Sequence, residues 1–129
     1  MHMLKLATTV ALSFSLMGVS IASAQSLSQQ QQNAVRSASN YLSMSGFSRD
    51  GLINQLSSSY GDGYSIVDAR AAVDSLSINW NEQAARSAQQ YLSMMGFSCS
   101  GLINQLSSDA GDKYTVSQAT YGAQLSGAC

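Results

Sequence analysis

The chain has 129 residues, with six Lys or Arg against seven Asp or Glu and only 10% charged residues. That length allows one ordinary domain or two very small ones and excludes a large multidomain enzyme; a formal net charge of -1 supplies no basic field to hold a phosphate backbone by counterion release. Proline is absent, the single histidine is His2 and the two cysteines are Cys99 and Cys129, so few side chains are available for metal binding or acid-base chemistry and no cofactor is expected.

The first residues read as an export signal. A short polar start with His2 and Lys5 precedes the apolar stretch Leu6 to Ile21, and Ala22-Ser23-Ala24 provides the small residues of a cleavage site before Gln25. Residues 1-24 are therefore expected to be a signal peptide, cleaved after Ala24, with the product in the periplasm or cell envelope and held at a membrane only if the signal is retained. No cysteine follows the apolar run to carry a lipid. The mature chain keeps five basic residues (Arg36, Arg49, Arg70, Arg86, Lys113), all seven acids and no histidine, for a net charge of -2.

After a polar, low-complexity leader assigned to residues 25-32, the dominant feature is an internal repeat with a period of 50. Twenty-three of 44 positions are identical between 33-76 and 83-126, and Gly51-Leu-Ile-Asn-Gln-Leu-Ser-Ser58 recurs unchanged at 101-108. Residues 33-78 form repeat 1 and 79-129 repeat 2. Each reads as three short helices, giving an all-α fold of two tandem three-helix, helix-turn-helix-like repeats. In the first helix Ala34, Ala38, Tyr41 and Leu42 share a stripe, and Gly46 and Gly96 suit a left-handed stop. Ser48 and Ser98 stand as caps of the second helix, whose apolar face is Leu52, Ile53 and Leu56, with Leu102, Ile103 and Leu106 in the second copy. Gly51 and Gly101 inside that helix predict a neighbouring helix too close for a side chain. The Gly61-Asp62 and Gly111-Asp112 turns lead to a third helix capped by Ser65 or Thr115, with Ile66, Ala69, Val73 and Leu76 along its stripe in repeat 1.

Asn81 is expected to cap the first helix of repeat 2, with Trp80 packed at the junction between the copies. A unit of forty-odd residues lies near the lower limit for a self-sufficient core, and export to an oxidising compartment predicts a Cys99-Cys129 disulfide. A DNA-binding helix-turn-helix fares poorly, since Arg49 and Arg70 of repeat 1 face Cys99 and Thr120 in repeat 2. No pair of carboxylates recurs with a catalytic partner, so neither an enzyme nor a small-molecule substrate is expected; Asp62 and Asp112 recur as turn residues.

Tyr41-Leu-Ser-Met-Ser-Gly-Phe-Ser48, Gly51-Leu-Ile-Asn-Gln-Leu56, Gly61-Asp-Gly-Tyr64, the Ile78-Asn-Trp-Asn81 linker and the near-copy Tyr91-Leu-Ser-Met-Met-Gly-Phe-Ser98 resemble the tandem repeats of the Ltp family of host cell surface-exposed lipoproteins. The likeness runs from about Asn33 to Gln124. It implies a compact all-α module, often encoded by temperate phages, that acts in superinfection exclusion by contacting the incoming tape measure protein of a second phage and blocking DNA entry. The sequence departs from the family in having Ala22-Ser23-Ala24-Gln25 where a lipobox cysteine would stand. Candidate electrostatic contacts to such a partner are Asp50, Asp62, Asp68 and Asp74 in repeat 1 and Glu82, Asp109 and Asp112 in repeat 2. The alternatives are a host envelope protein with a structural or adhesive role unrelated to phage, and an enzyme inhibitor.

Overall fold

A computed structural model describes residues 26-129; the expected export signal lies outside the described residues. These form six helices and no strand: α1 (Gln29–Met44), α2 (Arg49–Ser57) and α3 (Ile66–Ser75) in repeat 1, then α4 (Trp80–Met94), α5 (Cys99–Ser107) and α6 (Val116–Leu125) in repeat 2. Helix α3 packs on α1 and α2, and α6 packs on α4 and α5. The all-α architecture of two three-helix units is as the sequence implies.

Hydroxyl and amide caps set the helix starts. Ser48 and Ser98 each accept the backbone N–H three residues on, at 2.9 and 3.0 Å. Thr115 and Gln118 complete a reciprocal capping box, whereas in repeat 1 Asp68 accepts a hydrogen bond from Gln31 of α1 at 3.2 Å. Two boundaries differ from expectation. Helix α1 begins at Gln29, inside the segment read as leader, because Ser28 and Gln31 form a capping box of their own. Helix α4 is capped by Asn79, not Asn81, through a 3.2 Å bond from the Glu82 N–H. Trp80 is consequently its first residue and packs, half-buried, against the repeat 1 core with Leu76 and Ile78.

The cores are thin. Leu52, Leu56, Leu102, Leu106 and Val73 are the largest fully buried apolar side chains, and most other buried positions are alanines, Ala34, Ala38 and Ala69 in repeat 1 and Ala84, Ala88 and Ala119 in repeat 2 among them. Edge-to-face pairs add to each unit, Tyr41 on Phe47 at 5.7 Å and Tyr91 on Phe97 at 5.6 Å between ring centroids. Ile66 and Val116 start their helices at the surface, 49% and 66% exposed, so the buried stripe of the third helix begins at Ala69 and Ala119 instead.

The glycines act differently from the sequence reading. Gly46 and Gly96 do not adopt positive φ; the left-handed residues are Gly63 (φ 70°) and Lys113 (φ 63°) in the two turns and Gly127 (φ 89°) just past α6. A Cβ at Gly51 or Gly101 would meet the capping serine's own Oγ at 2.8 Å, and at Gly51 also the Asp112 carbonyl of the repeat 2 turn at 3.2 Å, not a neighbouring helix. The helix–helix close approach falls at Gly122 of α6, where a Cβ would lie 2.6 Å from the Ala84 carbonyl carbon on α4.

Two unlike devices tie the second helix of each unit to its third. In repeat 1 the Arg49 guanidinium grips both oxygens of Asp74 at 2.8 Å. In repeat 2 Cys99 occupies the position of Arg49 and is disulfide-bonded to Cys129, 30 residues on and just past α6. Closing that loop contributes about 3.6 kcal/mol on a chain-entropy basis. Replacing both cysteines by serine is therefore expected to lower stability by about 3.6 kcal/mol, read as a lower urea midpoint, with no comparable change when wild type is compared with and without an inert salt.

Candidate partner-binding site

The surfaces open to a partner are set by how the two repeats meet. The elbow between α1 and α2, residues 45-48, is inserted against α4 and the Gly111-Asp112 turn. Gln90 of α4 accepts hydrogen bonds from the Ser45 hydroxyl (3.1 Å) and the Gly46 N–H (3.2 Å), and Gln83 accepts from the Phe47 N–H at 3.3 Å. Arg86 donates to the carbonyl of Leu42 at 2.7 Å, serving a C-terminal helix carbonyl that has no partner within α1. Ser48, buried, caps α2 and donates its proton to the Asp112 carbonyl. The approach is close enough that a Cβ at Gly46 would stand 2.5 Å from the Ser87 Oγ.

The same four elbow residues in repeat 2 touch their own unit, with Phe97 on Tyr91, and among the described residues no second unit covers them. Gly96 has no atom within 4 Å of a built Cβ, and Ser98, exposed, reaches only its own cap and Ser100. Of the acidic candidates Asp112 alone lies at this seam, through its backbone carbonyl. The seam's sequence signal is the lengthening of Asn33 and Asn40 to Gln83 and Gln90 in the second copy, beside an otherwise kept Arg86-Ser87.

The seven acids fall into distinct environments. Asp62 and Asp112 each accept the tyrosine hydroxyl of their own repeat, Tyr41 at 2.7 Å and Tyr91 at 2.9 Å, which ties the turn to the first helix. Asp112 is half-buried and its Oδ2 has no hydrogen-bond partner; desolvation raises its pKa, partly opposed by the Tyr91 hydrogen bond. Burial likewise pushes the Tyr114 hydroxyl up, against a hydrogen bond with Ser87 at 2.7 Å. Asp74 is spent on Arg49, whose hydrogen bonds lower its pKa. Asp68 faces Gln31. Asp50, 3.4 Å from Arg49, together with Asp109 lines an open groove of about 310 Å³ between the repeats, whose lining also includes Ile53, Ile66 and the cations Arg49, Arg70 and Lys113. Glu82 lies exposed in the first turn of α4. The structure thus brings Asp50 and Asp109 together, across two repeats, and leaves the other candidates apart.

The family description "host cell surface-exposed lipoprotein", Lipoprotein_Ltp, matches residues 29–76 and 79–124, one match per repeat. The chain belongs to the Ltp family. It is also similar to the solved structure of Ltp, a superinfection exclusion protein from the Streptococcus thermophilus temperate phage TP-J34: 31% identity and a TM-score of 0.67, covering 75% of this chain and 95% of that one. None of the curated proteins compared with the chain matches it. Among the described residues no helix is long and apolar enough to cross a membrane and no cluster of three or more His, Cys, Asp or Glu could hold a metal ion. For this Ltp-family chain, then, the described surface offers docking geometry: an open groove, an unpartnered elbow and a closed seam.

Two measurements check the seam. Ser48→Ala removes a helix cap and a bond across the seam, so it is expected to cost about 2 to 3 kcal/mol, against about 1 kcal/mol for Ser98→Ala, which removes a cap alone; denaturant midpoints compare them directly. The pH dependence follows from two acids of opposite sign. Asp112 has a folded pKa above its unfolded value, so its contribution is present below the unfolded pKa and lost as pH rises through the folded one. Asp74 has a folded pKa below its unfolded value, so its contribution is present above the unfolded pKa and lost as pH falls through the folded one. Asp112→Asn is therefore expected to gain stability relative to wild type as pH rises above the ordinary carboxylate value of about 3.9, and Asp74→Asn to lose it as pH rises toward that value from below, in urea melts at each pH.

Proposed function

We propose that this chain is an exported superinfection-exclusion protein, cleaved after Ala24, that blocks DNA injection by a second phage by gripping its incoming tape measure protein in the periplasm or envelope. The observation that carries this reading is that both repeats match the Ltp family and that the likeness to the phage TP-J34 protein spans 95% of that chain at 31% identity. The activity asks for binding alone, with no bond made or broken.

Physics favours a pre-organised grip over a flexible one. Two repeats joined by a free linker would act as separate sites with an effective concentration of order mM. Here the seam holds them together, so a partner meets one surface already ordered and the entropic cost of binding falls. The groove sets Asp50 and Asp109 among the cations Arg49, Arg70 and Lys113 beside Ile53 and Ile66, and this combination of both charges with apolar surface suits an extended polypeptide of mixed charge.

The test is a phage challenge of cells producing the chain with its leader. Normal adsorption, blocked DNA entry and plaque counts reduced by orders of magnitude for at least one phage are expected. Restored plaques with Asp50→Lys plus Asp109→Lys, at unchanged melting temperature, would place the contact at the groove. Unchanged plaque formation across a broad panel sinks the proposal and leaves a structural or adhesive envelope role.

A further inference from the structure

We propose that the seam between the repeats is one joint of a head-to-tail series, in which a second copy of this chain seats its α1 face on the open elbow of repeat 2.

The joint inside the chain is heterologous: an elbow of one unit lies on the first helix and turn of the next, and neither surface pairs with itself. A duplicated unit carries both surfaces twice, so one of each is left over. The leftover elbow is Met95-Gly96-Phe97-Ser98. It keeps the glycine that makes the internal approach possible, although its backbone does not need positive φ and nothing in its own chain lies near it. Its Met95 is 59% exposed, whereas Ser45 at the same place in the covered elbow is half-buried. The last turn of α4 carries no basic residue, whereas the Leu42 carbonyl of α1 has Arg86.

The leftover face is on α1. Arg36, Ser37 and Tyr64 repeat Arg86, Ser87 and Tyr114, and the Ser37–Tyr64 contact at 3.1 Å repeats Ser87–Tyr114 at 2.7 Å. Exposure differs as an uncovered face requires. Ser87 and Tyr114 are 4% and 2% exposed under the repeat 1 elbow, while Ser37 and Tyr64 are only half-buried and Arg36 and Asn40 are exposed. Docked by the same operation, Arg36 of the second copy would serve the Leu92 carbonyl, and the Gly96 N–H would donate to Asn40 as Gly46 donates to Gln90. Asn40 is one methylene shorter than Gln90, and Met95 replaces the hydroxyl of Ser45 with apolar contact. The joint between chains is therefore weaker in polar contacts than the one inside, and it lacks the linker that holds the internal surfaces at an effective concentration of order mM. It closes where copies are crowded.

Sedimentation velocity on the leaderless chain, from about 10 µM to about 1 mM, is expected to show a weight-average sedimentation coefficient that rises with concentration and passes beyond the dimer value. Gly96→Glu spoils the elbow at a site with open space around it, and Asn40→Arg exposes a cation where the face needs an acceptor. Each variant alone is expected to stay monomeric with an unchanged melting temperature. Their equimolar mixture is expected to form a 1:1 dimer, because one intact face and one intact elbow remain. A wild type that stays monomeric throughout overturns the proposal, as does a mixture that fails to associate; dimers that stop at two copies and survive Gly96→Glu would mark a self-paired interface and overturn it too. Phage sensitivity plays no part in this readout, so it stands or falls apart from the exclusion activity.

Discussion

The size of the core governs everything else in this molecule. Each unit is about fifty residues and buries alanine at most of its helix contacts, which lets the helices approach closely but removes little apolar area from water. Such a unit needs help, and the chain supplies it three ways. An ion pair clasps α2 to α3, a disulfide ties α5 to the end of α6, and the elbow of repeat 1 is buried against repeat 2. The third differs from the others in kind, since it joins the units into one body.

Duplication followed by docking makes equal sequences unequal. Ser48 and Ser98 occupy the same position in the repeat, yet one bridges two units and the other faces water. The same holds for Gly46 and Gly96, and for the Ser37–Tyr64 and Ser87–Tyr114 pairs. Where the second copy has diverged, the changes follow this asymmetry: Gln83 and Gln90 have the reach to bond the elbow, and Cys99 takes over from Arg49 on the unit whose third helix lacks a counterpart to Asp74.

The helices, their order and most of their caps were legible because periodic alanine and leucine stripes punctuated by Ser, Thr and Gly are local signals. The disulfide was legible because two cysteines in an exported chain have few alternatives. Asn79 was missed as a cap in favour of Asn81, since both are asparagines and only the packing of Trp80 and Ile78 on repeat 1 decides between them. Gly46 was misread as a conformational stop because its purpose is spatial: the atom it avoids belongs to α4, 41 residues away at Ser87. The acids were read one by one as surface charge, and tertiary structure sorted them into turn ties at Asp62 and Asp112, a clasp at Asp74 and a shared groove at Asp50 and Asp109. Long-range contacts between duplicated copies leave almost no trace in either copy taken alone.

Trp80, the chain's sole indole, begins a helix of repeat 2 while resting on the hydrophobic cluster of repeat 1. Its emission consequently reports on the junction and on neither unit by itself. Should the two halves part before either melts, the fluorescence maximum would move to the red while the far-ultraviolet helical dichroism held steady, making the protein its own optical gauge of whether it comes apart in one step or two.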